Sequence, residues 1–169
     1  MKLFMRFPQL KNVLKPKFLL TENLNRLSKW LRMLGYDATI YKSISLSNMI
    51  RLAVKERRII LTRSAKQAKS NLKFSRILIK SDNHFKQIKE LKEIITFNEQ
   101  YTFSRCLVCN KQLYGISKEK VKDLVLEFIY ENQTDFKVCR KCGKIYWQGT
   151  HYKVMLEVLK NIFDYRKLS

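Results

Sequence analysis

The cysteines of this chain constrain its fold more than any other feature of the sequence. There are four, and they form two Cys-x-x-Cys pairs, Cys106–Cys109 and Cys139–Cys142, with 29 residues between the pairs. Asn110 and Gly143, which follow the pairs, are residue types that suit tight turns. Two such turns allow four thiolates to converge tetrahedrally on one Zn²⁺. The spacing therefore predicts a structural zinc site in a small ribbon of β-hairpins.

Two other uses of the cysteines were weighed against zinc. A disulfide scaffold needs an oxidising compartment and is typical of short secreted chains. A redox Cys-x-x-Cys motif stands at the start of a helix in a β-α-β unit, and neither pair has that context. We therefore interpret all four cysteines as ligands of a structural zinc ion, which concerns the folding of the C-terminal third and not the activity.

The charge of the chain is strongly positive and unevenly distributed. Its 169 residues include 35 Lys and Arg against 14 Asp and Glu, for a formal net charge of +21. Residues 1–81 hold 19 of the basic residues and three acids, Glu22, Asp37 and Glu56. A field of this sign attracts a polyanion, and nucleic acid is favoured over an anionic membrane surface. A merely lysine-rich solvated surface is the alternative, but glutamate does not rise with lysine here.

Residues 1–16 are basic and contain no acid. Three interpretations stay open: an arm that lies on nucleic acid, an organellar targeting segment, or a frayed terminus. Transit peptides are rich in Arg and Ser, whereas this segment has one Arg and no Ser, so we expect an arm held by a partner. We find no secretory signal and no apolar run of membrane-spanning length. We expect an intracellular protein, in the mitochondrion or the cytoplasm, without membrane partners.

Strands and helices alternate in the pattern of the next 80 residues. Apolar runs predict four strands, at 17–20, 38–41, 58–62 and 77–79. Helices are predicted between and after them, at 23–34, from Ser47 to 56, from Ser64, and at 82–95. Gly35 is expected to end the first helix. Such alternation predicts an α/β fold with a parallel sheet covered by helices on both faces.

The C-terminal half predicts the ribbon and a final helix. Residues 124–130 and 144–147 have the apolar pattern of strands, and Thr150 can cap a last helix. The domains we predict from these patterns are a basic arm at 1–16, an α/β domain at 17–96, a zinc ribbon at 101–152 and a C-terminal helix at 153–169.

Several segments, in order, resemble one known family. They are ENLNRLSKWLRMLGYDATIY (22–41), RIILTR (58–63), RCLVCN (105–110), EFIYE (127–131) and FKVCRKCGKIYWQGTHY (136–152). Together they resemble the Mut-seven C-terminal RNase family. The resemblance implies a PIN-like nuclease fold followed by a zinc ribbon. It also implies metal-dependent RNA cleavage, in which carboxylates at the carboxyl ends of the strands hold Mg²⁺ or Mn²⁺.

The chain departs from this family where the acids are expected. Thr21 stands in place of the acid that ends the first strand, and Ser64 in place of the acid after the third strand. The second helix begins without an acid, since residues 43–49 contain none. If the resemblance holds, the catalytic acids are lost. The remnant candidates are Glu22, beside the first position, and Asp82, after the fourth strand.

Neither remnant candidate is a strong one. Glu22 is shifted by one residue along the strand, which turns its side chain to the other face, and Asp82 is equally placed to cap a helix. Asp37 suits a turn, and Glu56 suits an ion pair with the arginines that follow it. Of the two histidines, His84 fits a solvated role and His151 a helix-start or packing role better than catalysis.

We therefore predict a degenerate PIN-like protein that binds RNA as a structural component of a ribonucleoprotein. We expect this particle to be a ribosome, either mitochondrial or cytoplasmic. Its partners would then be rRNA and neighbouring subunits. The alternative is an active endoribonuclease dependent on Mg²⁺ or Mn²⁺, and an adaptor whose ribbon binds protein is a third interpretation. The predicted RNA contacts are Lys11, Lys15, Lys17, Arg26, Lys29, Arg32, Arg57, Arg58, Arg63, Lys66, Lys69 and Lys73.

Overall fold

The computed structural model describes residues 15–42, 45–68 and 75–163. The basic segment up to residue 14, and with it Lys11, lies outside the described residues, as do Lys69 and Lys73. A four-stranded parallel sheet, with the order β2-β1-β3-β4, forms the main body. Its strands are β1 (Lys17–Thr21), β2 (Asp37–Tyr41), β3 (Arg58–Thr62) and β4 (Arg76–Leu78). The predicted parallel α/β sheet is confirmed.

The central strand β1 explains why the sheet needs cover on both faces. Phe18, Leu19 and Leu20 are successive residues, and all three are fully buried. Neighbouring side chains of a strand point to opposite faces, so a continuous apolar run requires helices on each. One face packs under α1 (Asn25–Met33), α4 (His84–Glu90) and α6 (Thr150–Phe163), and the other under α2 (Leu46–Glu56).

The helix ends differ from the sequence prediction by a few residues. The first helix opens as a 3-10 turn at Glu22–Leu24 before α1. Ser45, rather than Ser47, caps α2, because its side chain accepts a hydrogen bond from the N–H of Asn48. A four-residue helix, α3 (Ala65–Ala68), follows β3.

Gly35 ends the first helical segment as predicted. Its φ of 84° lies in the left-handed region, which glycine adopts without strain. A Cβ at this position would lie 2.4 Å from the carbonyl oxygen of Tyr101. The glycine therefore also allows a close approach between the end of α1 and the segment that leads into the ribbon.

The ribbon is a three-stranded antiparallel sheet in the order β5-β6-β7. Its strands are β5 (Tyr114–Ile116), β6 (Phe136–Val138) and β7 (Ile145–Trp147). The strand predicted at 144–147 is confirmed, while β5 and β6 were not predicted. Each is three residues long, which is too short to give a clear alternating pattern.

The strand predicted at residues 124–130 is wrong. The segment contains the end of a 3-10 helix, Lys118–Leu124, and the start of α5 (Glu127–Asn132). Leu124, Leu126 and Phe128 alternate as in a strand, but they are 62%, 77% and 71% exposed. No strand within the described ranges pairs with this segment, and the N–H groups of Ile129 and Tyr130 bond locally to the carbonyl of Leu126.

The last helix, α6, packs into the main body. Its Leu159 and Ile162 belong to the same buried cluster as Leu31 of α1 and Ile88 of α4. The domain boundaries drawn from the sequence stay predictions. Among the described residues, no helix combines the length and the apolar character needed to cross a membrane.

Candidate metal centre and nucleic-acid interface

The four cysteine side chains form a compact cluster. Their sulfur atoms all lie within 4.8 Å of one another, and the closest pairs are 3.2 to 3.7 Å apart. A disulfide bond measures about 2.0 Å, whereas the corners of a tetrahedron with Zn–S bonds of about 2.3 Å are about 3.8 Å apart. The cysteines are free thiols, and their spacing fits one tetrahedrally bound metal ion. Zinc stays the prediction for its identity.

Each Cys-x-x-Cys pair sits in a turn with the same hydrogen bonds. In the first knuckle the N–H of Cys106 donates to the carbonyl of Lys111 (2.7 Å), and the N–H of Asn110 donates to the carbonyl of Cys106 (3.0 Å). The second knuckle repeats both bonds around Cys139. Asn110 and Gly143 have φ values of 63° and 70°. The residues that follow the pairs therefore supply the left-handed conformation that closes each turn.

Tyr146 orients one of the sulfur atoms. Its hydroxyl lies 3.1 Å from the sulfur of Cys106 and accepts a hydrogen bond from the N–H of Leu107 at 3.2 Å. Burial opposes ionisation of Cys106. Hydrogen bonds from the Tyr146 hydroxyl and from the N–H groups of Cys109 and Val108 outweigh it and lower the pKa of the thiol to about 6. Partners of this kind hold metal ligands in place.

The thiol of Cys109 resists ionisation beside Cys106. Burial and the neighbouring sulfurs of Cys139 and Cys106 raise the pKa of Cys109 to about 12. Four thiolates cannot share so small a volume without a compensating charge, because they repel one another. A bound divalent ion supplies that charge. The donor set and its electrostatics thus both fit a metal centre.

Arg32 joins α1 to the first knuckle. It is 5% exposed, and its guanidinium donates to the carbonyls of Ala38 (2.8 Å), Leu107 (2.7 Å) and Val108 (3.0 Å). Burial lowers the pKa of Arg32, and the adjacent Cys106 opposes that effect. We predicted an RNA contact for this residue, but the structure commits its guanidinium to the protein backbone.

Asn110 joins the same knuckle to the edge of the sheet. Its side-chain oxygen accepts from the N–H of Ala38 (3.1 Å), and its amide nitrogen donates to Asp37 (2.7 Å) and Thr39 (3.1 Å). β2 is an edge strand, whose outward backbone groups need partners. The knuckle that holds the cysteines therefore also covers the edge of the sheet.

Asp37 and Arg58 form an ion pair at the amino ends of β2 and β3. Their closest atoms are 2.6 Å apart, and Arg58 also contacts Glu56 at 2.5 Å and the carbonyl of Phe18 at 3.2 Å. Burial raises the pKa of Asp37, but hydrogen bonds from Arg58 and Asn110 outweigh it, so the pKa lies below its usual value. Arg58 too was a predicted RNA contact, and its guanidinium is committed to these groups.

The carboxyl ends of the strands carry hydroxyl and amide groups. Thr21 ends β1, and its hydroxyl donates to the side-chain oxygen of Asn23 at 2.7 Å. Thr62 ends β3, and its hydroxyl donates to Gln67 (2.6 Å) and accepts from the N–H of Ser64 (3.1 Å). Ser64 in turn accepts from the N–H of Gln67 at 3.3 Å. These side chains hold the loops by hydrogen bonds that need no cation.

The two remnant acids have different surroundings at the carboxyl ends of the strands. Glu22 is exposed and lines the cleft described next, together with α1. Asp82 is exposed and forms an ion pair with Arg63. It does not cap α4, because Asn83 does so by accepting from the N–H groups of Phe85 and Lys86. Among the described residues, the cysteine cluster is the one group of three or more potential metal ligands.

A basic cleft of about 960 Å³ lies between α1, β2 and the first knuckle. Its two acids are Glu22 and Asp37, and Asp37 is already paired with Arg58. Seven basic residues line it, namely Lys29, Arg32, Lys42, Arg58, Arg105, Lys111 and Lys141. The four lysines of this set are exposed, and none forms an ion pair with another described residue.

Comparison with known families matches residues 16–159 to the Mut7-C RNAse domain. This chain belongs to the Mut7-C RNAse domain family. Membership assigns it an RNA-related, nuclease-like function and agrees with the resemblance of its sequence segments. No curated protein and no solved structure matches the chain.

The predicted RNA contacts are spread over the surface of this Mut7-C RNAse domain. Lys29 lines the basic cleft, and Arg63 is occupied in part by Asp82. The ammonium of Lys15 lies 3.7 Å from the ring centroid of Tyr101, a cation–π contact. Four further predicted contacts are exposed but lie outside the cleft, namely Lys17, Arg26, Arg57 and Lys66.

The sequence prediction missed part of the basic cleft. Lys42 was passed over in the N-terminal half, and Arg105, Lys111 and Lys141 come from the ribbon, more than 60 positions away from α1 in the chain. The position of Arg105, Lys111 and Lys141 beside the cysteines could have indicated that they are at the surface, because a knuckle exposes the side chains next to its cysteines. Nothing in the sequence shows which strand a knuckle packs against.

The histidines of the Mut7-C RNAse domain lie apart from the carboxyl edge. His84 stacks against Trp30, with ring centroids 6.0 Å apart, and contacts the ring of Phe85. It is half-buried, so the solvated role that we expected for it is wrong. His151 is exposed in the first turn of α6 and lines a second, smaller cavity.

Proposed function

We propose that this protein binds RNA without cleaving it and acts as a structural component of a ribonucleoprotein particle. The observation that carries the proposal is a basic cleft beside the edge strand β2. The carboxyl ends of the neighbouring strands β1 and β3 carry hydroxyl and amide groups. The particle we propose is a ribosome, with rRNA and neighbouring subunits as partners. A mitochondrial ribosome is one version, and the basic segment at residues 1–16 is then either an arm or a targeting segment.

The basic cleft supports binding to the RNA backbone. Lysines on four separate elements face one space: Lys29 on α1, Lys42 after β2, and Lys111 and Lys141 in the two knuckles. Phosphate contacts from such residues release counterions, and this release drives binding that does not depend on sequence. Because the metal centre and Arg32 hold the knuckles in place, the cleft is formed before RNA arrives.

The sheet edge supports the absence of cleavage. Mg²⁺ takes oxygen ligands in octahedral geometry and is usually held by one or two carboxylates. By the family resemblance, two of these would stand at Thr21 and Ser64. Hydroxyl groups are neutral, and those of Thr21 and Ser64 already bond to Asn23 and Gln67. Asp82 is paired with Arg63, which leaves Glu22 as the one unpaired acid at the carboxyl ends of the described strands, and a single carboxylate holds a divalent ion weakly.

Binding of the purified protein to single-stranded and structured RNA across a salt series tests the proposal. If 6–10 phosphates are contacted, affinity is expected to fall by roughly 10³–10⁵ between 50 and 200 mM salt. Sedimentation with ribosomal particles in moderate salt tests the particle. Failure to bind any RNA at 50 mM salt contradicts the proposal. Binding without sedimentation contradicts only the ribosomal part.

The second candidate is an endoribonuclease dependent on Mg²⁺ or Mn²⁺. The family match favours it, and Glu22 and Asp82 are the acids nearest the carboxyl ends of β1 and β4. Incubation of wild-type protein with RNA in millimolar Mn²⁺ distinguishes the two candidates. Cleavage that is abolished by Glu22→Gln or Asp82→Ala would favour the nuclease.

A further inference from the structure

A second cavity, of about 300 Å³, lies beside the end of the ribbon. It is formed by β7, the loop Gln148–Gly149 and the first turns of α6, with Phe103 and Leu107 contributed from the segment around the first cysteine. We call it the aromatic pocket. It contains none of the four cysteines and none of the acids at the sheet edge, and the proposed RNA binding does not use it.

Four aromatic side chains line this pocket: Phe103, Tyr146, Trp147 and Tyr152. The rings of Phe103 and Tyr152 pack with centroids 4.3 Å apart. Trp147 is 36% exposed, so a ligand can reach its indole ring. Aromatic faces of this kind stack with nucleobases of any sequence.

Two backbone features hold the rings in this arrangement. Phe103 has a φ of 55°, which is uncommon for a bulky residue, and its N–H donates to the carbonyl of Met33 at 2.7 Å. At Gly149 a Cβ would lie 2.9 Å from the indole nitrogen of Trp147. Glycine therefore allows the indole to lie against the loop, and a larger residue would displace it.

The pocket also has hydrogen-bonding groups among its apolar walls. They are Asp135, Lys137, Gln148, Thr150 and His151. All five are exposed at the rim of the pocket, where they can hydrogen-bond to the polar edge of a ligand but not to a purely aliphatic one. A nucleobase has two apolar faces for the rings and a polar edge for the donors and acceptors. The chemistry of the lining thus favours a base over a lipid chain.

The aromatic pocket shares a wall with the basic cleft. Leu107 lines both cavities, and its N–H is bonded to Tyr146, another pocket residue. One RNA strand can therefore place phosphates against the lysines and a base among the rings. Bases within a duplex are stacked and paired, so only an unpaired base can enter such a pocket.

We propose that the aromatic pocket binds an unpaired nucleobase of an RNA strand whose phosphates lie in the basic cleft. This inference rests on the RNA binding proposed above. It assigns the protein a preference for single-stranded or looped RNA over a continuous duplex.

The test compares Trp147→Ala with wild type on a single-stranded oligoribonucleotide and on duplex RNA. Loss of one stacking contact is expected to weaken single-strand binding by about 5- to 150-fold and to leave duplex binding unchanged. Trp147→Phe keeps an aromatic face and is expected to recover most of the affinity. Phe128→Ala is the matched control, because Phe128 is an exposed ribbon aromatic outside both cavities.

A second arm guards against a variant that fails to fold. Retained metal content identifies a folded Trp147→Ala ribbon, and Gly149→Ala shifts the indole without removing it, so its loss should be smaller. Wild-type protein is also cross-linked to single-stranded RNA containing 4-thiouridine, with the cross-link expected within residues 145–152 or at Phe103 or Leu107, which line the same pocket.

The possible failures can be told apart. If wild type binds no RNA, both the proposed function and this inference fall. If RNA binds with steep salt dependence, but Trp147→Ala leaves single-strand affinity unchanged or weakens duplex binding equally, the pocket does not hold a base. Cross-links confined to other segments would likewise show that the base lies elsewhere. In the last two cases the proposed function still stands.

Discussion

The cysteine cluster and the carboxyl edge of the parallel sheet are two places where turns bring side chains together, and they differ in what they can hold. At the cluster, four ligands of one type converge within 4.8 Å and receive further hydrogen bonds from Tyr146 and the backbone. At the sheet edge, Thr21, Thr62 and Ser64 bond to neighbouring amides. The first arrangement can hold a metal ion, and the second is satisfied by hydrogen bonds within the protein.

This difference separates two uses of a metal. We expect a metal in the ribbon to be part of the fold, since the ribbon strands are three residues long and its own buried cluster consists of Cys106, Cys139 and Leu113. A metal at the sheet edge would serve only catalysis, because the sheet is already held by a large apolar core. The predictions that follow test this contrast.

Metal removal is expected to have the largest effect. We predict about one zinc ion per chain and, because structural zinc binding is worth roughly 10–16 kcal/mol and is coupled to folding, unfolding of residues 101–150 in Cys106→Ser. Hydrogen exchange should show loss of protection there, with β1 and β3 still protected. Ser117→Ala, a ribbon substitution away from the cysteines, is the control. A metal-free chain whose ribbon is still protected from exchange would show that the ribbon folds without a metal and would contradict the prediction.

Neutralising the cleft is expected to have the next largest effect. Changing Lys29, Lys111 and Lys141 together to Gln removes about three phosphate contacts, each worth about 0.7 of the salt slope for single strands. The slope should fall by about 2, and affinity by about 100-fold at 0.1 M salt. Filter binding across a salt series measures both values.

The matched control for the cleft uses three other exposed lysines. Lys55, Lys89 and Lys122 are exposed and line neither cavity, so their change to Gln carries the same loss of net charge. Equal losses in the two triple variants would mean that the overall charge, and not the cleft, binds RNA.

Arg32→Leu tests whether the first knuckle and the parallel sheet stabilise each other. We call the contacts of Arg32 and Asn110 between them the junction. The substitution keeps an apolar stem but leaves the carbonyls of Ala38, Leu107 and Val108 without their donor. A buried group left unsatisfied costs about 1–3 kcal/mol, and we expect a loss of that size in the free energy of unfolding by urea. Arg26→Leu, on the exposed side of α1, should change stability by less than about 0.5 kcal/mol. If Arg32→Leu and Arg26→Leu lower the free energy of unfolding by similar amounts, the contacts of Arg32 do not couple the knuckle to the sheet.

Asp37 gives the junction a pH dependence. Its pKa is lowered in the folded protein, so its ion pair stabilises the fold above about pH 4, the value for the unfolded chain. That contribution disappears as the pH falls through the lower folded pKa. The difference in stability between wild type and Asp37→Asn should therefore be constant near pH 7 and shrink below about pH 4. Wild type and variant share every other ionisable group, so a difference that does not vary with pH contradicts the prediction.

The smallest expected effect is at the sheet edge. We predict no cleavage of RNA in millimolar Mg²⁺ or Mn²⁺, and no change in RNA affinity beyond about twofold for Asp82→Ala, which lies outside the basic cleft. Thr21→Asp with Ser64→Asp, which adds two carboxylates, is the variant in which weak Mn²⁺-dependent cleavage should first appear. Robust cleavage by the wild-type protein would show that the carboxyl ends of the strands do hold a catalytic metal, and would contradict the prediction.

Local chemistry allowed much of this molecule to be predicted from its sequence. The apolar run Phe18–Leu20 had to be a buried strand, Gly35 had to end a helix, and two Cys-x-x-Cys turns had to form knuckles. The failure at residues 124–130 has an equally local cause. Alternating apolar residues indicate a strand only where a partner strand exists, and none was available at Leu126 or Phe128.

The sequence by itself determined the parallel α/β fold, the cysteine ligand set and the positive charge, because each depends on residue type and short spacing. Only the tertiary structure decided which charges are free. It buried Arg32 against backbone carbonyls and paired Arg58 with Asp37, while it brought Lys111 and Lys141 beside Lys29. The physical reason is that an ionic group is either satisfied by the protein or left to a ligand according to its neighbours in space. Those neighbours come from segments far apart in the chain.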